Sequence, residues 1–156
     1  MGLMLEPVGF VEGGRIEPDD DDWEGVEAVI ALDETRFGPE ALWGLDSFSH
    51  VEVIYAFHKA DPEKIVTGAR HPRGRTDWPK VGIFAQRGHS RPNHLGVTMA
   101  HVVQVDGTRL TVRGLDAIDG TPVLDLKPVL SGFQPRGAFR EPDWAREIMA
   151  DYWKKG

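Results

Sequence analysis

Apolar and polar residues alternate, or β-branched residues run on uninterrupted, over residues 3–11, 26–32, 50–57, 81–85, 97–105, 109–115 and 123–129. A period of two sends successive side chains to opposite faces of a pleated ribbon, so these seven segments predict strands. Asp106-Gly107 separates two of them at hairpin spacing, where residues tolerant of positive φ fit. Asp119-Gly120 stands before Val123 in the same manner. Residues 39–45 predict a short helix. The terminal "EPDWAREIMADYWKKG" predicts another, with Pro142 in its first turn, Asp143 near its start and Lys154-Lys155 at its end. Trp144, Ile148 and Tyr152 recur every four residues and define its buried face. Residues 61–79, rich in Pro, Gly and Arg, form the one long loop, and such loops in compact domains are usually functional or disordered. Seven short strands without an internal repeat predict a mainly β fold, a small closed or nearly closed barrel followed by a C-terminal α-helix.

The 156 residues predict one domain, with the barrel at about residues 3–130 and a tail and helix at about 131–156. A chain with 40% hydrophobic and 28% charged residues is ordinary for a soluble protein, and no stretch is long and apolar enough for a membrane span. The N-terminus has neither the basic region nor the apolar segment of a signal peptide, so a cytoplasmic location is expected. The absence of cysteine excludes disulfides, thiolate zinc sites and cysteine nucleophiles. Net charge is -7, yet it is unevenly spread. Residues 1–34 hold eleven acids against the single base Arg15, while residues 70–91 hold six bases against the single acid Asp77. The second segment is either a solvated loop or a local docking surface for an anion.

Most familiar catalytic signatures are missing: there is no dinucleotide-binding glycine fingerprint after a strand, no phosphate-loop lysine motif and no nucleophile elbow. His50, Glu52 and His58 have even offsets and are expected on one strand face, more as pocket or edge residues than as metal ligands; no metal is expected. Two stretches concentrate chemistry. "GIFAQRGHSRPNHLGVT" (residues 82–98) packs arginines, histidines, Asn93, Pro92 and glycines between two apolar runs. "GLDAIDGTPVLDLKPV" (residues 114–129) punctuates an apolar strand–turn–strand with Asp116, Asp119, Asp125 and Lys127. Asp125 and Lys127 share a face opposite the leucines, as a cross-strand ion pair or as site residues.

Together with "GLDSFSHVEVIYAFH" (residues 44–58), the loop 82–98 and "DGTPVLDLKPV" (residues 119–129) strongly resemble, in the same order, the three signature blocks of the TsaA/TrmO-like family. These are the tRNA threonylcarbamoyladenosine N6-methyltransferases. The resemblance covers roughly residues 5–130, and its most specific part is the middle pattern A-x-R-x-x-x-R-P-N-x-x-G. It implies S-adenosylmethionine as cofactor, a single-sheet β-barrel and a homodimer. It also implies a cofactor shell of His58, Lys59, Arg87, Arg91, Pro92, Asn93, Val97, Asp119, Gly120, Thr121 and Pro122, with Asp21, Asp22 and Trp23 at the position of a further contact segment. His94-Leu95 stand where the family has Pro-Ile, and Val129 stands where it has Tyr.

These residue types suit such a cofactor. Arg87 and Arg91 offer planar donor forks to a carboxylate, Pro92 stiffens the loop, and Asn93 both donates and accepts. The implied reaction is methyl transfer to N6 of threonylcarbamoyladenosine beside a tRNA anticodon, with Asp125 and His89 as candidate acceptors of the N6 proton. Arg70, Arg73, Arg75, Lys80 and Lys127 are the candidate tRNA contacts. Methylation of a small molecule and a non-catalytic cofactor-binding module are the alternatives.

Overall fold

The computed structural model describes residues 1–154 and is built on a closed barrel of six antiparallel strands. In chain order the strands are β1 (Gly9–Glu12), β2 (Glu27–Leu32), β3 (His50–Ala56), β4 (Ala69–Arg70), β5 (Val81–Gly82), β6 (Leu95–Asp106), β7 (Arg109–Arg113) and β8 (Pro122–Pro128). The barrel runs β1-β2-β7-β6-β3-β8 and closes where Gly9 pairs with Val123. Strands β4 and β5 form a separate two-stranded sheet outside it. The expected mainly β barrel with a C-terminal helix is therefore the observed fold.

Alternation explains the wall. Val51, Val53 and Tyr55 of β3 point inward and are buried, while His50, Glu52, Ile54 and Ala56 face outward. Leu110 and Val112 of β7, Ile30 of β2, Ala100 of β6 and Val123 of β8 complete the core, and each of these five excludes solvent entirely. A register shift beside Ile54 and Tyr55 lets Leu126 join that core while Asp125 stays outside. The β6–β7 hairpin turns through Gly107-Thr108, with Gly107 at φ 62°, so Asp106 closes β6 by pairing with Arg109. Beyond β7, Leu115 and Ala117 join the core, and Ile118 is buried beside them in sequence.

Four local expectations change. The run at 81–85 is a strand only at Val81–Gly82 and continues as a 3-10 turn, Ile83–Ala85. Ile83 still buries its side chain, which is what its apolar pattern registered. The strand expected from residue 3 begins at Gly9, and Leu3, Met4 and Leu5 are exposed. Residues 39–45 form a 3-10 turn, Pro39–Leu42, with a second at Leu45–Ser47 after Gly44 adopts φ 89°. The C-terminal helix α1 spans Asp143–Ile148, and Tyr152 lies past its end; Lys155 falls outside the described residues.

Candidate functional site

The three sequence blocks meet at one end of β3. Beyond Ala56 the chain leaves the strand, so His58 does not share the face of His50 and Glu52; it turns toward Gly120, whose Cβ position would lie 3.6 Å from His58 Nε2. His50 stays at the far end of β3, its ring 4.6 Å from that of His101. Among the described residues no three His, Asp or Glu side chains are grouped to hold a metal ion.

Phe57 joins the first block to the second. Its N–H donates to the His94 carbonyl at 2.8 Å, and its ring lies 6.2 Å from that of His89. Gly96 makes this approach possible, since a Cβ there would stand 2.6 Å from Tyr55 Cζ and 2.9 Å from Phe57 Cζ. Asn93 and His94 both adopt positive φ, 65° and 50°, so the chain after Pro92 turns sharply at a cost that non-glycine residues bear only under strong local constraint. The His94 Nε2 atom is buried with no hydrogen-bond partner among the described residues.

The loop is held by side chains that bond to backbone. Gln86, itself buried, donates from Nε2 to the carbonyls of Val81 (2.9 Å) and Arg70 (3.1 Å), while Arg70 Nε donates to its Oε1 at 3.3 Å. Arg91 donates to the Gln86 carbonyl at 2.6 Å, and Arg87 donates to the carbonyl of Val97. In the third block, the Asp119 carboxylate accepts from the Gly13 N–H at 2.8 Å, and the buried Thr121 hydroxyl donates to the Ile118 carbonyl at 2.7 Å. Pro122 opens β8 opposite Phe10. Burial lowers the His58 pKa, the Lys59 ammonium adds to that, and the Asp119 carboxylate opposes both.

Asp116 organises an adjoining network that the sequence only hinted at. Its carboxylate accepts from the hydroxyls of Tyr55, Thr98 and Tyr152, the last arriving from the chain beyond α1. Burial, and secondarily the Asp116 charge, push both tyrosine hydroxyls far above their ordinary pKa, so they act as fixed donors. The terminal segment is anchored further by Trp23 N–H to the Tyr152 carbonyl (2.9 Å) and by Trp78 Nε1 to Glu147 Oε2 (2.7 Å). The signal for this was the four-residue repeat ending at Tyr152; nothing in a single sequence pairs it with Asp116.

Other candidates lie apart. Asp125 is on the outer face of β8, opposite Ile54, with Lys127 Nζ 3.2 Å away and the Leu126 N–H 2.9 Å away. It lines an apolar groove with Trp43, Phe48 and Leu126. His89 is exposed, and no contact joins it to Asp125. In the basic loop, Arg73 pairs with Asp21 (3.2 Å) and Asp20 (4.0 Å), and Arg75 pairs with Asp77 while stacking on Trp78. The acidic and basic segments thus neutralise one another at their contact. Lys80 is exposed and makes no ion pair among the described residues.

A model of the family described as the tRNA-methyltransferase O N-terminal domain matches residues 18–134. The chain belongs to this family. Among other members, the human tRNA (adenine(37)-N6)-methyltransferase is 33% identical over 96% of the chain but only 34% of its own length. The mouse protein of the same name is 39% identical over 84% of the chain and 32% of its own length. The chain therefore spans about a third of these mammalian relatives. A probable S-adenosyl-L-methionine-binding protein of Methanothermobacter thermautotrophicus is 40% identical over 82% of the chain and 90% of its own length. The crystal structure of TrmO from Pseudomonas aeruginosa superposes with a TM-score of 0.72 at 26% identity, covering 90% of this chain and 62% of that one.

Proposed function

We propose that this member of the family is a cytoplasmic S-adenosylmethionine-dependent methyltransferase, acting as a homodimer on N6 of threonylcarbamoyladenosine next to the tRNA anticodon. The observation that carries the proposal is the convergence of the three blocks at one end of β3: Phe57 on His94, His58 beside Gly120, and Arg87 on Val97. The residues there fit the cofactor. Arg87 and Arg91 each give a donor to the backbone and keep further N–H groups for a carboxylate, while the unpartnered His94 Nε2 and the Asp119 carboxylate supply polar atoms of other kinds. Lys59, Pro92, Asn93, Val97, Thr121 and Pro122 complete the proposed shell.

When bound, S-adenosylmethionine supplies an electrophilic methyl group on sulfur. The work left to the chain is to hold the substrate nitrogen at near-attack distance and to accept its proton. Asp125 and His89 are the proposed acceptors. Arg70, Arg73, Arg75, Lys80 and Lys127 are the proposed tRNA contacts; at Arg73, Arg75 and Lys127 a phosphate would have to displace a carboxylate. Exposed Phe10, Trp43 and Phe48 supply apolar surface for a second copy.

Incubation with methyl-labelled S-adenosylmethionine and tRNA bearing unmethylated threonylcarbamoyladenosine, followed by nucleoside mass spectrometry, tests the reading. Labelled N6-methyl-threonylcarbamoyladenosine is the expected product. Cofactor binding without transfer to tRNA would leave a binding module or a small-molecule enzyme. Arg87→Ala should weaken cofactor binding by at least about 1.5 kcal/mol in calorimetry, the scale of a hydrogen bond to a charged group. Unchanged affinity would remove Arg87 from the site.

A further inference from the structure

Ten of the chain's twelve arginines place their guanidiniums on an acceptor of the chain itself, a backbone carbonyl, an amide oxygen or a carboxylate. The two that make no such contact among the described residues are Arg136 and Arg140. They lie in the stretch 131–140, "SGFQPRGAFR", which contains no acid and in which every residue is exposed. Phe133 and Phe139 of the same stretch are 86% and 70% exposed. A folded chain rarely leaves two phenylalanines and two unpaired guanidiniums in water on one short segment.

Among the described residues the backbone hydrogen bonds of this stretch are local, from Phe133 N–H to the Leu130 carbonyl and from Gln134 N–H to the Ser131 carbonyl. After the turn Ser131–Phe133, whose end is marked by Gln134 N–H bonding to the Ser131 carbonyl at 3.2 Å, the chain passes through Pro135 and bends at Gly137, φ 80°. Gly132, Phe133, Gln134, Pro135 and Arg136 enclose a shallow hollow. Phe133, Arg136, Phe139 and Arg140 therefore follow one another along an open ribbon, ring and cation in alternation.

We propose that residues 131–140 form a binding surface for single-stranded RNA, with Phe133 and Phe139 stacking on bases and Arg136 and Arg140 meeting phosphates. A single strand presents both partners in alternation, an aromatic face and an anion, whereas a duplex hides its base faces. The chain as a whole is at -7, so attraction to RNA has to be local. These two arginines are ready for phosphate without first releasing a carboxylate, unlike Arg73 and Arg75. The proposal rests on the reading of tRNA as substrate and adds a second contact region to it.

The test uses a fluorescently labelled anticodon stem-loop RNA, with binding followed by anisotropy between 50 and 200 mM salt. Arg136→Ala/Arg140→Ala should lower the logarithmic salt slope by about 1.4, the loss of two single-strand phosphate contacts. Phe133→Ala/Phe139→Ala should weaken binding at least about tenfold with the slope unchanged, because stacking is not ionic. All four positions are exposed, so the fold and S-adenosylmethionine affinity, read by calorimetry, should be preserved. If wild type binds the RNA and both double variants bind it with the same affinity and slope, this surface is wrong while the tRNA reading stands. If wild type binds the cofactor but no RNA, the tRNA reading itself fails and this proposal with it. Variants that change the sedimentation mass and leave RNA binding intact would assign the segment to a second copy and overturn the proposal.

Discussion

In the barrel wall, Val51, Val53, Leu110, Val112 and Val123 are wholly buried and sit on antiparallel ladders that close on themselves, whereas residues 57–94 contribute only two strands of two residues each. The wall is held by area removed from water, a non-directional force that tolerates conservative exchange of one apolar side chain for another. The loop layer is held by directional bonds from Gln86, Arg70, Arg87, Arg91 and His71 to backbone or to each other. The two therefore differ in how they fail. Loss of a wall side chain should lower the stability of the whole domain, while loss of a loop bond should release one segment and leave the barrel standing.

The largest effect is expected in the wall. Leu110→Ala removes a side chain with no solvent exposure and leaves a cavity, which should cost about 2–5 kcal/mol in urea unfolding. A loss well under about 1 kcal/mol would mean that the barrel interior collapses around the gap and is not packed as described.

That asymmetry also governs how much was legible beforehand. Strands β3 and β7 follow from the alternation of Val, Leu and Ile because each buries every second residue, whereas the register shift in β8 breaks that period between Val123 and Leu126. Residues 81–85 have the same local pattern, yet only two of them are strand, since the loop around Gln86 makes a 3-10 turn the better solution for Ile83. The candidate site could be proposed at Arg87, Asn93 and Gly120 because the blocks that hold them resemble the signature blocks of a family. Asp116 with Tyr55, Thr98 and Tyr152 could not, because the partners are 18 to 61 positions distant and each has an ordinary structural explanation alone. The charge pattern misled in one respect: the basic loop and acidic segment meet through Arg73, Asp20 and Asp21 and partly cancel.

Where wall and loop touch, the effect should be intermediate and double. Gly96→Ala places a methyl against Tyr55 and Phe57, so it should cost about 1–3 kcal/mol of global stability. It should also weaken S-adenosylmethionine binding, because Phe57 carries the bond to His94. A variant of normal stability and normal cofactor affinity would show that the site does not depend on this contact.

Gln86→Ala sharpens the contrast from the loop side. It strips donors from the Val81 and Arg70 carbonyls, a local penalty of about 1–3 kcal/mol. Hydrogen exchange should accelerate across residues 66–94 while β3, β7 and β8 keep their protection. Equal acceleration in the wall would make loop and barrel one cooperative unit.

The smallest effect concerns His58, where loop and third block meet. Burial and Lys59 lower its pKa below the ordinary 6.5, with Asp119 opposing them, so the folded chain holds this proton less readily than the unfolded chain. Between the folded value and 6.5 the unfolded state carries more protons, and stability therefore rises with pH through that window. Above 6.5 His58 is neutral in both states and contributes no slope. As pH falls through the window the stabilisation is lost, by an amount kept small because the ring is exposed. His58→Gln should accordingly match wild type in melting temperature at pH 7.5 up to a constant offset and lose less than wild type on acidification to pH 5.5. A wild type that loses no more than the variant would mean that Asp119 outweighs burial at this ring, and that the loop end of β3 is more open to water than the wall beneath it.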